Sequence, residues 1–250
     1  MYIKNPTFGF VDLRFSMLHL EIITMNARDL QFLEYLKGYI TPHKLGRIEE
    51  VLAFRTRYLT VVLEDIYKPH NASAVLRTAD CFGIQDVHVI EKSSSYKINP
   101  YVTRGAAQWI DLHKYADSSQ SAVASCFSSL RGKGYQIYAT SPNSGSVSIR
   151  DFFPRQKTAL VFGNEHEGVS DEVVREADGL IHIPMFGFTE SFNISVTASL
   201  FLYDFLGKIR HDLPEGFFLG DSEKQELRFR WYQEIVKNAH IHRKKFFGDG

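Results

Sequence analysis

The chain has 250 residues, with 29 Lys+Arg balanced by 29 Asp+Glu, so it carries no formal net charge at neutral pH. That balance excludes binding driven by bulk polycationic charge, and any nucleic-acid surface must come from local clustering. A content of 44% hydrophobic and 23% charged residues is that of a globular chain able to bury a sizeable core. No signal peptide or membrane span is visible: the apolar stretch 15–25 is short and broken by His19 and Glu21. The two cysteines, Cys81 and Cys126, both fall in apolar helical patterns. They are expected to be buried, reduced thiols of a cytoplasmic protein rather than a disulfide pair.

Residues 1–24 have no clear period and are expected to be disordered, with Met25 an alternative start. Asp29 to Lys37 and Pro42 to Phe54 are predicted helices; in the second, Leu45, Ile48, Val51 and Leu52 form a one-sided stripe. The basic face of that helix, with Lys44 and Arg47, suits a solvated surface or an RNA contact equally. The β-rich run Tyr58 to Leu63 is the first core strand. Asn71 is expected to cap a helix running to about Phe82, which Gly83 ends. Strands follow at Asp86 to Ile90, Trp109 to Leu112 and Tyr135 to Ala139, with a helix from Ser118 to Leu130. Strand and helix patterns alternating in this way predict an α/β fold, a parallel sheet with helices on both faces.

The last third holds two further strand runs, Ala159 to Phe162 and Leu180 to Ile183. Each empties into a polar, glycine-containing loop, and a long apolar-faced helix from Ile194 to Lys208 follows. Ligands of open α/β folds bind at such carboxyl strand ends. A final helix is predicted from Ser222 to His240. Between Arg228 and Lys245 there are six Lys/Arg and one Glu, interleaved with Trp231 and Tyr232. This segment fits an RNA-touching surface or an amphipathic helix docked on the core equally well.

Several chemistries are excluded by what is missing. No G-x-G-x-x-G follows a strand, and Gly163 to Gly168, which has P-loop glycine spacing, lacks the lysine that would follow it. Adjacent Glu165, His166 and Glu167 on one tight turn cannot converge on a metal ion, and none is expected.

Three stretches together are more specific. Lys68-Pro-His-Asn71-Ala-Ser-Ala-Val-Leu-Arg77, Leu160-Val-Phe-Gly-Asn-Glu165-His-Glu-Gly168, and Ile183-Pro-Met followed by Ser191-Phe-Asn193 resemble the three motifs of the TrmH-type SPOUT methyltransferases, in order and over residues 44 to 210. The resemblance implies a parallel α/β domain with a deep C-terminal trefoil knot, a topology that is rare. It also implies a homodimer whose sites are completed across the interface. The domain would span 58–210, with an N-terminal extension at 1–57 and a helical C-terminal one at 211–250. The implied reaction moves the methyl group of S-adenosyl-methionine to a ribose 2′-hydroxyl of RNA. Carried over by motif, Arg77 activates that hydroxyl and Asn71 positions it, while Glu165, Ser191 and Asn193 shape the donor and guanosine pocket. Thr140, Phe162, Gly163, Gly168, Ile183, Met185 and Phe192 would complete the cofactor site. Phe192 stands where the family commonly has Leu.

The form of the first motif looks most like the enzymes that methylate the D-loop guanosine of transfer RNA. Lys68, Arg104, Arg47, Arg243 and Lys244 are then the expected RNA contacts, made to phosphates. Ribosomal RNA is the alternative substrate, and a non-catalytic RNA-binding protein of the same fold the alternative function.

Overall fold

A computed structural model describes residues 25–92, 105–118, 120–143 and 145–248. The expectations for residues 1–24 and for Arg104 lie outside the described residues. Helices α1 (Ala27–Lys37) and α2 (Pro42–Ala53) each open on a side-chain cap: Asn26 accepts from the Asp29 amide and Thr41 from the Lys44 amide. Seven strands follow: β1 (Leu59–Glu64), β2 (Asp86–Glu91), β3 (Asp111–Ala116), β4 (Gln136–Thr140), β5 (Val147–Ser148), β6 (Thr158–Phe162) and β7 (Gly179–His182). They are interspersed with α3 (Pro69–Cys81), α4 (Ala122–Gly132), α5 (Asp171–Glu176) and α6 (Ile194–Ile209), and closed by α7 (Asp221–Ile235) and α8 (Ala239–Phe247).

The strands form one sheet in the order β3-β2-β1-β6-β4-β7-β5, and every pairing is parallel. The expected α/β class is therefore correct. β1 and β6, paired at the centre, are buried along their whole length, as continuous apolar runs inside a parallel sheet must be. Alternate residues serve opposite faces. Val61, Leu63, Leu160 and Phe162 join the core beneath α3 and α6, while Val62, Ala159 and Val161 join the one beneath α4. A third core lies among α1, α2 and α7, built on Phe32, Leu36, Ile48, Leu52, Leu227 and Trp231. No helix among the described residues is long and apolar enough to cross a membrane. The last core strand in sequence, β7, lies between β4 and β5, both of which precede it.

Four local expectations are corrected. Asn71 does not cap α3; Lys68 holds that position and Pro69 opens the helix, which frees the Asn71 side chain for other partners. The strand sought at Trp109 to Leu112 lies at β3, because a short 3-10 turn at Ala106–Gln108 precedes it. The single C-terminal helix is two, α7 and α8, broken where Asn238 takes a left-handed conformation (φ 58°). Cys126 is buried but Cys81, at the end of α3, is exposed; both are free.

At the opposite edge of the sheet from the glycine loops, Arg57 binds three carboxylates, donating to Asp86 (2.8 Å), Asp111 (2.7 Å) and Glu223 (2.8 Å). It thereby ties α7 to the starts of β2 and β3. Burial alone would raise the Asp86 pKa, but the His113 hydrogen bond and the Arg57 guanidinium hold it below the usual carboxylate value. Next to it His88, stacked on His113 at 4.6 Å, is pushed down to about 3 by burial and by His113. Its folded pKa is depressed, so the unfolded chain binds a proton near pH 6.5 that the folded chain refuses until about 3. Stability therefore falls as pH drops through that window, by at most about 1.4 kcal/mol per pH unit from this group. Asp86 adds a loss at lower pH, as its carboxylate is protonated. His88→Gln, which keeps a polar partner for the Tyr115 hydroxyl, should flatten the fall in urea midpoint between pH 6.5 and 5 relative to the parent. Parallel curves for the two proteins would contradict this account.

Candidate active site

The carboxyl ends of β4, β6 and β7 surround a cavity of about 390 Å³, in the range of small-ligand sites. Its floor includes Phe162, Ile181, Ile194 and Phe201, and its rim the loops Thr140–Asn143, Gly163–Val169 and Ile183–Phe192. All nine residues expected at the cofactor site line it: Thr140, Phe162, Gly163, Glu165, Gly168, Ile183, Met185, Ser191 and Phe192.

The loop after β6 is closed on itself. Asn164 and Gly168 exchange both backbone hydrogen bonds (3.0 and 3.1 Å), and the Asn164 side-chain oxygen accepts from the His166 and Glu167 amides. A Cβ on Gly163 would stand 2.0 Å from the Gly168 carbonyl, so only glycine fits there. The far end of the loop is held by Glu64, buried at the end of β1, whose carboxylate accepts from the Ser170 amide (2.9 Å), the Ser170 hydroxyl (2.5 Å) and Lys92 (2.9 Å). Glu64 was not singled out in the sequence; a lone acidic residue ending an apolar strand was the available signal.

Three predicted residues meet in one directed chain of hydrogen bonds. The backbone N–H and hydroxyl of Ser195 donate to Asn193 Oδ1 (2.9 and 2.7 Å). An N–H can only donate, so the Asn193 oxygen must face it and its Nδ2 must face away. That Nδ2 donates to Asn71 Oδ1 at 3.2 Å, which in turn aims Asn71 Nδ2 at Glu165 Oε1. The other oxygen, Glu165 Oε2, is buried without a partner among the described residues. A buried carboxylate oxygen with no donor is costly unless a ligand supplies one. A cavity of this size with an apolar floor, a polar rim and one unsatisfied acceptor fits a ligand carrying a flat ring and N–H or O–H donors. S-Adenosyl-methionine, with its adenine, ribose and ammonium groups, is such a ligand.

Arg77 stands apart. It is exposed on α3, lines none of the cavity, and has no hydrogen-bond or ion-pair partner among the described residues. Of the expected RNA contacts, Lys68 and Lys244 are exposed, Arg47 pairs with Glu50 at 3.0 Å, and Arg243 lies 3.4 Å from Asp29. Among the described residues no cluster of His, Cys, Asp or Glu could hold a metal ion. Ser141, Pro142, Asn143, His182 and Glu190 also line the cavity and had not been marked. The Thr140-Ser-Pro strand end was the signal for the first three.

This fold and site define a SpoU-type methylase. The chain belongs to the SpoU rRNA Methylase family, which matches residues 58–203. It is 43% identical over 203 residues to the tRNA (guanosine(18)-2'-O)-methyltransferase of Borreliella burgdorferi, covering 81% of this chain and 90% of that protein. It superposes on the Aquifex aeolicus TrmH/SpoU tRNA modifying enzyme with a TM-score of 0.68 at 31% identity, over 78% of this chain and 98% of that one. The fold is shared as well with an AdoMet-bound rRNA methyltransferase of Sinorhizobium meliloti (TM-score 0.53, 24% identity, 67% and 61% coverage). The resemblance drawn from the three motifs is borne out.

Gly163→Ala should force the Gly163–Gly168 loop open, at about 1–3 kcal/mol of strain. Its affinity for S-adenosyl-methionine in calorimetry should fall roughly tenfold or more. An unchanged dissociation constant would show that the loop does not shape the donor pocket.

Proposed function

We propose that this chain transfers a methyl group from S-adenosyl-methionine to the ribose 2′-hydroxyl of guanosine 18 in transfer RNA, the substrate named for the Borreliella relative. The observation that carries the reading is the chain Ser195–Asn193–Asn71–Glu165, which joins residues of all three motifs and ends on Glu165 in the wall of the cavity. When bound, S-adenosyl-methionine supplies a methyl group on a cationic sulfonium. Glu165 offers Oε2 to a donor of the ligand, and the two asparagines fix its direction. Ser191 and Phe192 close the pocket beside Ile183 and Met185. A guanidinium is a donor fork with no acceptor, so Arg77 stabilises the developing alkoxide or acts through a neighbouring phosphate rather than taking the proton itself. Lys68 and Lys244 meet the RNA backbone, with Arg47 and Arg243 able to exchange their weak surface pairs for phosphates.

A homodimer belongs to this reading. On α6, Val196, Leu200 and Tyr203 are 44%, 40% and 73% exposed at helical spacing, an apolar stripe that a second copy would cover. Such a copy gives Arg77, which lies outside the cavity of its own chain, a site to complete. The placement of β7 between β4 and β5 supports the trefoil knot. Residues 58–210 then form the catalytic domain, with 1–57 and 211–250 as flanking extensions, in an enzyme working in the cytoplasm.

Arg77→Ala should lower methyl transfer to unmodified transfer RNA by about a hundredfold or more, the loss of roughly 3 kcal/mol of charge stabilisation. Its binding of S-adenosyl-methionine should match the parent. Retained transfer would refute the mechanism. Ribosomal RNA is the competing substrate, and labelled methyl transfer to separate unmodified pools decides between them.

A further inference from the structure

Two distant stretches bring three aromatic side chains together on the outside of the flanking helices. Tyr35 comes from α1, Tyr39 from the turn after it, and His242 from α8. The two tyrosine hydroxyls lie 2.8 Å apart, and that of Tyr35 also lies 3.0 Å from His242 Nδ1. The His242 ring stands edge-on to Tyr39, with centroids 4.5 Å apart at 64°. Behind the group, Phe246 backs Tyr35 at 5.1 Å and in turn meets the fully buried Phe32 at 5.4 Å. Tyr39 is nonetheless 54% exposed. An exposed tyrosine ordinarily turns freely; this one has its hydroxyl tied and its ring braced, so its orientation is set in advance.

The surroundings are cationic. Residues 236–247 contain Lys237, Arg243, Lys244 and Lys245 with two histidines and no acid. Across the turn from Tyr39, His43 and Lys44 are exposed in the first turn of α2. Neither Lys44 nor Lys244 has an ion-pair partner among the described residues. A rigid, exposed aromatic face amid unpaired cations matches a nucleotide, with the ring stacking on the base and the lysines meeting its phosphates. Pre-set orientation matters, because a ring that need not be immobilised on contact loses less entropy.

We propose that Tyr39, held by Tyr35 and His242, is a stacking platform for an unpaired base of the RNA substrate. The proposal rests on the RNA-methyltransferase reading and adds a contact remote from the methyl-transfer cavity. Its test uses the full-length chain and an unmodified transfer-RNA transcript, with affinity measured by fluorescence anisotropy across a salt series. Tyr39→Ala should weaken binding between about fivefold and 150-fold, the range for loss of one base–aromatic stack. It should leave the salt slope unchanged, because no phosphate contact is lost. Tyr39→Phe, which keeps the ring but frees it, should fall between the parent and the alanine variant. Lys244→Gln should instead reduce the salt slope by about one unit. Thermal unfolding and S-adenosyl-methionine affinity of the Tyr39 variants should match the parent, separating a surface contact from a folding defect. Unchanged RNA affinity in Tyr39→Ala overturns the platform and leaves the array to a protein contact; a loss accompanied by a lower salt slope overturns stacking as the cause. Failure of the parent to bind or methylate transfer RNA would instead refute the reading beneath it.

Discussion

The position of β7 between β4 and β5 is the constraint on which the rest of the site depends. It puts the ends of β4, β6 and β7 side by side around one cavity. A parallel strand needs hydrogen-bonding partners on both edges when it lies inside a sheet, and both of its partners come earlier in the sequence. The segment carrying Ile183 to Asn193 thus leaves a strand held on both edges. A ligand that fills the cavity between these strand ends stabilises the completed fold alone.

Within that frame, the polar chain from Ser195 to Glu165 leaves one buried carboxylate oxygen of a cavity residue unpaired. Each link has one possible direction, because it begins at a backbone N–H, and the direction ends on a carboxylate with one oxygen to spare. The chain also couples α3 to α6, which already pack together and share the Thr78–Ser199 contact. The asparagines therefore serve two ends: they join helices that carry different motifs, and they aim a charge. Arg77, one and two-thirds turns along α3 from Asn71, lies on another face of the helix, where the same scaffold presents it outward.

Much of this was readable from residue order. The buried strands β1 and β6 are short apolar runs, β1 marked by its β-branched Thr60, Val61 and Val62 and β6 by the Gly163 that follows it. The strand-end loops followed in turn, while the residues expected at the cofactor site, which line the cavity, came from the resemblance of the three motifs. What was not readable has specific causes. Asn71 resembled a cap because asparagine before an apolar run usually is one; only the tertiary partners Glu165 and Asn193 show otherwise. The break at Asn238 interrupts a segment whose composition favours helix on both sides. β5 is two residues long and owes its existence to β7 alone, so no local pattern could mark it. The order of strands, which places β7 inside the sheet, is not a property of any window of sequence.

The acid-free segment 236–247 has a consequence for the molecule as a whole. It holds four Lys/Arg, and the chain total is 29 of each sign, so the remaining residues carry a net charge of −4 against its +4. A neutral protein arranged this way is a dipole. Beyond about 8–10 Å in physiological salt it neither draws in nor repels a polyanion. Within that distance the field of a polyanion favours the orientation in which the basic segment 236–247 faces it. Orientation, rather than attraction at range, is what such a charge pattern gives in an encounter with a polyanion.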